Sequence, residues 1–205
     1  MGENTDTQVR AKVWLRPEQV DDLRSACYET GAEYLQQRNE AIIALMYDTG
    51  LRVGELVALD VDHLRDGNTA LYLPTAIQKD YPTDSSPPPA TLELASDVSR
   101  LLSSYLTNRW KDSPALFPSR SADRITTQGV RDALRKIALE ADVRPYLLDG
   151  SRGEPGDVTP HALRHSVAYR MMNGEEGNEL YDVRNRLRHR SITTTEQVYD
   201  HIIRV

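Results

Sequence analysis

The sequence predicts a mainly helical α+β domain carrying a small antiparallel β-sheet. Three observations lead there. Segment after segment repeats its apolar residues at helical spacing. Only two short runs, 70–77 and 90–94, read as strands, and a single loop separates them. The 205 residues, 39% of them hydrophobic, suffice for one core. Residues 1–11 are polar and read as a flexible start, which leaves 12–205 as one domain.

Arg16-Pro17-Glu18 has the chemistry of a helix start, with proline in the first turn and an acid beside it. Val20, Leu23 and Cys27 continue that helix to about residue 28. A second runs over about 38–47. Its centre, Ala41-Ile42-Ile43-Ala44-Leu45-Met46, is apolar all round, which marks a buried helix. Gly50 stops it, and a short helix follows over about 53–58. Asp66-Gly67-Asn68 is a turn signal, after which 70–77 reads as a strand and 90–94 as its returning partner. Val98, Leu101, Leu102, Tyr105 and Leu106 trace one amphipathic helix, and Val130, Leu134, Ile137 and Ala141 another. Residues 149–157 form a Gly/Pro-rich loop. Thr159 and Pro160 then open a helix as N-cap and first-turn proline, running to about 172. A further helix covers about 180–186. Thr193-x-x-Glu196 predicts a capping box for a last helix carrying Tyr199.

Composition excludes several classes. No apolar run approaches the roughly 20 residues that span a bilayer, and residues 1–7 lack the apolar stretch of a secretory signal. A single cysteine, Cys27, leaves no internal disulfide and no cysteine-built zinc site, so a reducing cytoplasm is the expected location. Acidic residues number 31 against 25 basic ones, a net charge of -6. Taken whole, that balance argues against a nucleic-acid partner. Lysine occupies only positions 12, 79, 111 and 136, and the other 21 basic residues are arginine. An acid-rich, lysine-poor surface suits a chain kept soluble in high salt.

Four places can carry chemistry. In Thr49-Gly50-Leu51-Arg52-Val53-Gly54-Glu55-Leu56, a guanidinium follows a buried helix and its glycine break, held where it can grip an anion such as a phosphate. Glu55 lies one helical turn on and can orient it; alone, the two are an ordinary Arg–Glu pair. His161-Ala162-Leu163-Arg164-His165 sits just inside a helix N-terminus, favourable for an anion. His161 and His165 share a face, but Ala162 and Leu163 replace the acid of the zinc-protease pattern, so no metal site is expected. His165 reads as a packing or supporting residue. Arginines at 184, 186, 188 and 190 alternate around His189, either as a phosphate-contacting surface or as a solvated face beside Glu175, Glu176 and Glu179. Lys79, just past the first strand, can reach into a groove as a proton donor or be a plain loop lysine.

Taken in order, these segments resemble the catalytic domain of the tyrosine recombinase, or phage integrase, family. The resemblance covers about residues 15–203 and rests on Arg52 in TGLRVGEL, Lys79 after the first strand, His161 and Arg164 in HALRH, His189 in LRHRS and Tyr199 in TTTEQVYDH. It implies the family's catalytic-domain fold and a site-specific recombinase or integrase that cleaves and rejoins DNA. By that resemblance the Tyr199 hydroxyl attacks a DNA phosphodiester, leaving a 3′-phosphotyrosine and a free 5′-hydroxyl. Arg52 and Arg164 would bind the non-bridging oxygens, and His161 would help remove the tyrosine proton. Lys79 would protonate the leaving oxygen, and His189 would donate to a non-bridging oxygen. No metal, ATP or other cofactor is implied. The implied partners are double-stranded DNA and further copies of the chain, as a tetramer on DNA. The composition fits a haloarchaeal member.

Two departures shape the expectation. Family members usually carry an N-terminal helical DNA-clamping domain and often a C-terminal exchange tail. Here the catalytic domain uses the stretch before Arg52, and only residues 201–205 follow Asp200, so both are expected to be absent. Two other readings therefore stand beside the recombinase. One is a topoisomerase-like strand relaxer. The other is a DNA-binding regulator or mobile-element remnant that keeps the fold without complete recombination.

Overall fold

The computed structural model describes residues 13–78, 87–174, 178–189 and 191–199. Helix α1 (Pro17–Ala26) starts at the proline the sequence marks. Helix α2 (Glu33–Thr49) is the axis of the fold. Its residues from Ala41 to Met46 are all buried, as a helix apolar on every face must be. It begins five residues earlier than its apolar pattern shows. Residues 33–37 are exposed or half-buried rather than core, and no capping side chain announces the start. Helix α3 (Val53–Ala58) follows at the expected position.

Strands β2 (Leu64–Arg65), β3 (Ala70–Leu73) and β4 (Ala90–Glu93) form an antiparallel sheet in that order, with Leu71 facing Leu64 on one side and Leu92 on the other. A strand β1 (Val13–Trp14) precedes α1. The β2–β3 turn places Gly67 at φ 66°. Strand β3 is shorter than the run 70–77. Pro74 cannot donate to a ladder, and one 3-10 turn, Thr75–Ile77, takes its place. Beyond the sheet come α4 (Ser96–Asn108) and α5 (Thr127–Glu140), the latter capped by Thr126 accepting the Gly129 N–H at 3.0 Å.

Strand β5 (Tyr146–Leu147) pairs antiparallel with β1, tying the beginning of the described chain to the segment that leads into α6 (Pro160–Asn173). Trp14, 2% exposed, stacks on Tyr146 and on Tyr169 of α6. Helices α7 (Leu180–Leu187) and α8 (Ile192–Tyr199) complete the order. Thr193 is the second residue of α8 and so does not cap it, contrary to the capping-box reading. A large apolar cluster joins α1 through α6, and a smaller one gathers Trp14, Val167, Ala168, Val183, Leu187 and Tyr199. The smaller cluster seats α7 and α8 against α6. Among the described residues no helix is long and apolar enough to cross a membrane. Residues 1–11 lie outside the described set.

Candidate active site

The site is built where α2 ends. Gly50 closes that helix in the left-handed conformation, φ 65° and ψ 27°, its N–H returning to the Met46 carbonyl. A Cβ at Gly50 would collide with the Leu187 side chain, so glycine also permits α7 to approach. Leu51 is fully buried, and Arg52 starts α3 from an extended backbone. Glu55, one turn on, accepts the Arg52 N–H at 2.9 Å through Oε2 and the Arg52 guanidinium at 2.9 Å through Oε1. The backbone and the side chain of Arg52 are thus fixed by one carboxylate.

Helix α6 brings the second group. The Thr159 hydroxyl accepts the Ala162 N–H at 3.2 Å, and Pro160 fills the first turn. His161 stays exposed at this N-terminus, while Arg164 is 3% exposed. The Arg164 guanidinium donates to the Gly50 carbonyl through Nη1 and to the Leu187 carbonyl at 2.5 Å through Nη2. Both carbonyls belong to helix ends, where no intrahelical donor remains. One fork therefore ties together the ends of α2 and α7, and these two bonds use two of its five N–H groups.

Helices α7 and α8 bring the rest. Tyr199 is 1% exposed, and its hydroxyl lies 3.0 Å from His165 Nδ1. The His189 ring stacks parallel on Tyr199, with 5.8 Å between centroids, and His189 Nδ1 lies 2.9 Å from the Thr195 hydroxyl. His161 packs edge-on against His165 at 4.1 Å. The structure thus gathers Arg52, His161, Arg164, His189 and Tyr199 around one point. The ring hydrogen-bonded to the tyrosine is His165, for which the sequence alone predicts a packing or supporting role. Its i+4 spacing from His161 placed both rings on one face, the only signal available. Lys79 lies outside the described residues. Gln78 before it is buried and donates to the Leu73 and Pro88 carbonyls, anchoring the root of that loop.

The arginine-rich segment divides. Arg184 lies over the Tyr181 ring. Arg186 turns to Asp48, donating to its carbonyl and carboxylate at 2.9 Å, and to the Glu93 carbonyl. Arg188 donates to Glu55 Oε2 at 2.6 Å. Arg186 points about 200° round the helix from Arg184, and the left-handed backbone at Arg188 sends its side chain to Glu55, so these three arginines take different partners and do not form one surface. Arg190 lies outside the described residues, as do Glu175 and Glu176.

The charges set the protonation states. Burial pushes Arg164 down to about 9, with Arg52 adding to the effect, so it stays cationic at neutral pH. Burial pushes His189 down to about 3, helped by Arg164, Arg52 and Arg188, so its ring is neutral. His161 is lowered by the protein packed on its inner side and by the Arg164 and Arg52 charges. Burial lifts the Tyr199 phenol to about 12, against the pull of Arg164 and Arg52. Burial would also raise Glu55, but Arg188, Arg52 and the Arg52 N–H outweigh it and keep the carboxylate ionised. A cationic pocket holding neutral imidazoles and a sequestered phenol is suited to anion binding and to proton transfer from the phenol. Among the described residues one grouping, Asp60, Asp62 and His63, has metal-ligand spacing. Arg124 already pairs with Asp60, and His63 Nδ1 accepts the Asp60 N–H, so two of its three members are engaged by neighbouring protein groups.

The chain is 34% identical over 191 residues to the tyrosine recombinase XerC of Herpetosiphon aurantiacus, an alignment covering 90% of this chain and 54% of that one. It spans about half the length of the curated relatives it matches. The crystal structure of XerA recombinase superposes with a TM-score of 0.69 at 23% identity, over 100% of this chain and 64% of that one. The XerH site-specific recombinase bound to its difH substrate gives 0.67 at 18% identity, over 92% and 50%. A model of the phage integrase family matches residues 13–204. The chain belongs to the phage integrase family, and its fold is that of the tyrosine recombinase catalytic domains.

Proposed function

We propose that the chain is the catalytic part of a site-specific DNA recombinase that cleaves and rejoins double-stranded DNA through a 3′-phosphotyrosine on Tyr199. The observation that carries this reading is the Tyr199 hydroxyl, buried and held 3.0 Å from an imidazole in a pocket with two anchored guanidiniums. The relative solved on its difH DNA supports duplex DNA as the substrate.

In the proposed reaction, Arg52 and the remaining N–H groups of Arg164 bind the non-bridging oxygens of the scissile phosphate. Their rigid anchoring means little reorganisation as charge grows, which is where electrostatic stabilisation is most effective. A phenol near 12 is a weak nucleophile, so its proton must leave as the bond forms. His165 Nδ1 takes that proton while the Tyr199 oxygen bonds to phosphorus and the bond to the 5′-oxygen breaks. Lys79 supplies a proton to the leaving 5′-oxygen. The Thr195 hydroxyl donates to His189 Nδ1, leaving Nε2–H to donate to a phosphoryl oxygen. The phosphotyrosine conserves the bond energy, and attack by a 5′-hydroxyl reverses the step. Exchange between two duplexes breaks four strands. One nucleophilic tyrosine per chain then requires four copies on the DNA.

The test uses a pool of nicked duplexes with randomised cores, in which cleavage releases a short fragment and traps the enzyme. Wild-type protein should yield detergent-resistant protein–DNA adducts, and Tyr199→Phe should yield none. Adducts persisting in that variant would refute the assignment.

A further inference from the structure

Among the described residues, Arg188 is a cation that reaches the site through Glu55 and has no part in the steps above. It closes α7 in the left-handed conformation, φ 54° and ψ 46°, which side chains other than glycine and asparagine rarely adopt. Glycine would cap the helix there without strain. The arginine instead turns its guanidinium inward, leaving 8% of the side chain exposed. Nη2 donates to Glu55 at 2.6 Å and Nη1 to the Arg186 carbonyl at 3.3 Å. Its Nε is buried with no hydrogen-bond partner among the described residues. Glu55, 2% exposed, is therefore shared between Arg188 and Arg52.

Charge balance gives this arrangement a purpose. Glu55 fixes Arg52, but its carboxylate alone would cancel the charge it positions. A bound phosphodiester carries one negative charge. The pentacoordinate state formed as the tyrosine oxygen adds, its proton gone, carries two. Three guanidiniums against one carboxylate leave two positive charges facing it, and the imidazoles of His161 and His189 add none at neutral pH. We propose that Arg188 is a positioning residue for phosphoryl transfer, neutralising Glu55 so that Arg52 is both held and left with its full charge for the phosphate. This rests on the recombinase reading of the site.

The test separates the two. Inorganic phosphate is titrated against the whole chain and followed through the ring resonances of His161 and His189. In parallel, adduct formation is timed on the randomised nicked duplexes. Arg188→Gly should bind phosphate about tenfold more weakly and cleave about tenfold more slowly, the effect of one charge near an anion in a partly screened site. Its melting midpoint should not fall in proportion, because glycine suits the backbone at that position. Arg188→Lys should stay within about twofold of wild type in both measurements. Adding Glu55→Gln to Arg188→Gly removes the uncancelled carboxylate and should restore phosphate binding. Wild-type phosphate affinity in Arg188→Gly, or a loss that Glu55→Gln does not restore, overturns the proposal. Absence of any adduct with wild-type protein refutes the recombinase reading instead, and the phosphate titration still decides the role of Arg188.

Discussion

Replacing Arg164 by lysine perturbs stability and chemistry at once, and the structure gives a magnitude for each. The guanidinium is 3% exposed and serves the Gly50 carbonyl with one nitrogen and the Leu187 carbonyl with the other. A lysine ammonium is a single point on a flexible stem and cannot span both. One buried carbonyl then loses a charged donor, a loss of about 2 kcal/mol. In a chain of this length that lowers the melting midpoint by about 4–8 °C. Chemistry suffers separately. A fork that loses one donor toward a phosphoryl oxygen should slow cleavage by about 10²–10³-fold. Circular dichroism melting and single-turnover cleavage of the trapping duplexes read the two effects independently. A midpoint within about 1 °C of wild type, outside that range, would show that the fork does not tie the helix ends. Near-normal cleavage would show that it does not clamp the phosphate.

Other substitutions probe the remaining parts. His165→Ala should slow adduct formation by about 10²-fold or more, and His161→Ala by less; the reverse order would return the proton-accepting role to His161. Gly50→Ala should destabilise by about 2 kcal/mol or more in urea unfolding, because φ is 65° and the new methyl meets Leu187. Gly54→Ala, helical and in open space, should stabilise by about 0.5–1 kcal/mol, and a matching loss at both glycines would remove the role given to Gly50. His189 titrates near 3 in the folded chain and near 6.5 unfolded, so between these values the unfolded chain binds a proton the native state lacks. Stability should therefore fall as pH drops through 6.5, by about 2 kcal/mol between pH 7 and 5, and His189→Gln should flatten that slope. An unchanged slope in the variant would show that the ring is not held neutral.

Much of this site is legible in the sequence because local chemistry dictates it. Pro17, Gly50, Thr159 and Pro160 fix helix ends by backbone geometry and capping, and α3 falls where its pattern places it. Strands β1 and β5 are not legible, since two residues show no alternation and their pairing joins positions far apart in sequence. The cap expected at Thr193 is absent because α8 already starts at Ile192, and a Thr-x-x-Glu spacing can also fall inside a helix, one turn apart on one face. The direction of Arg186 and Arg188 depends on Asp48 and Glu55, partners over a hundred positions away. Which of two histidines on one face of α6 meets Tyr199 depends on how α8 docks, and no spacing within α6 encodes that. The net charge of -6 is likewise uninformative about the site, where, among the described residues, Arg52 and Arg188 share one carboxylate, Glu55.

The central claim is that Tyr199 is the nucleophile. Its most direct measurement is mass spectrometry of trapped adducts after digestion with protease and nuclease. The expected result is a 3′-phosphoryl nucleotide carried on the peptide containing Tyr199. A nucleotide on any other residue, or an adduct of equal yield from Tyr199→Phe protein, would contradict the claim.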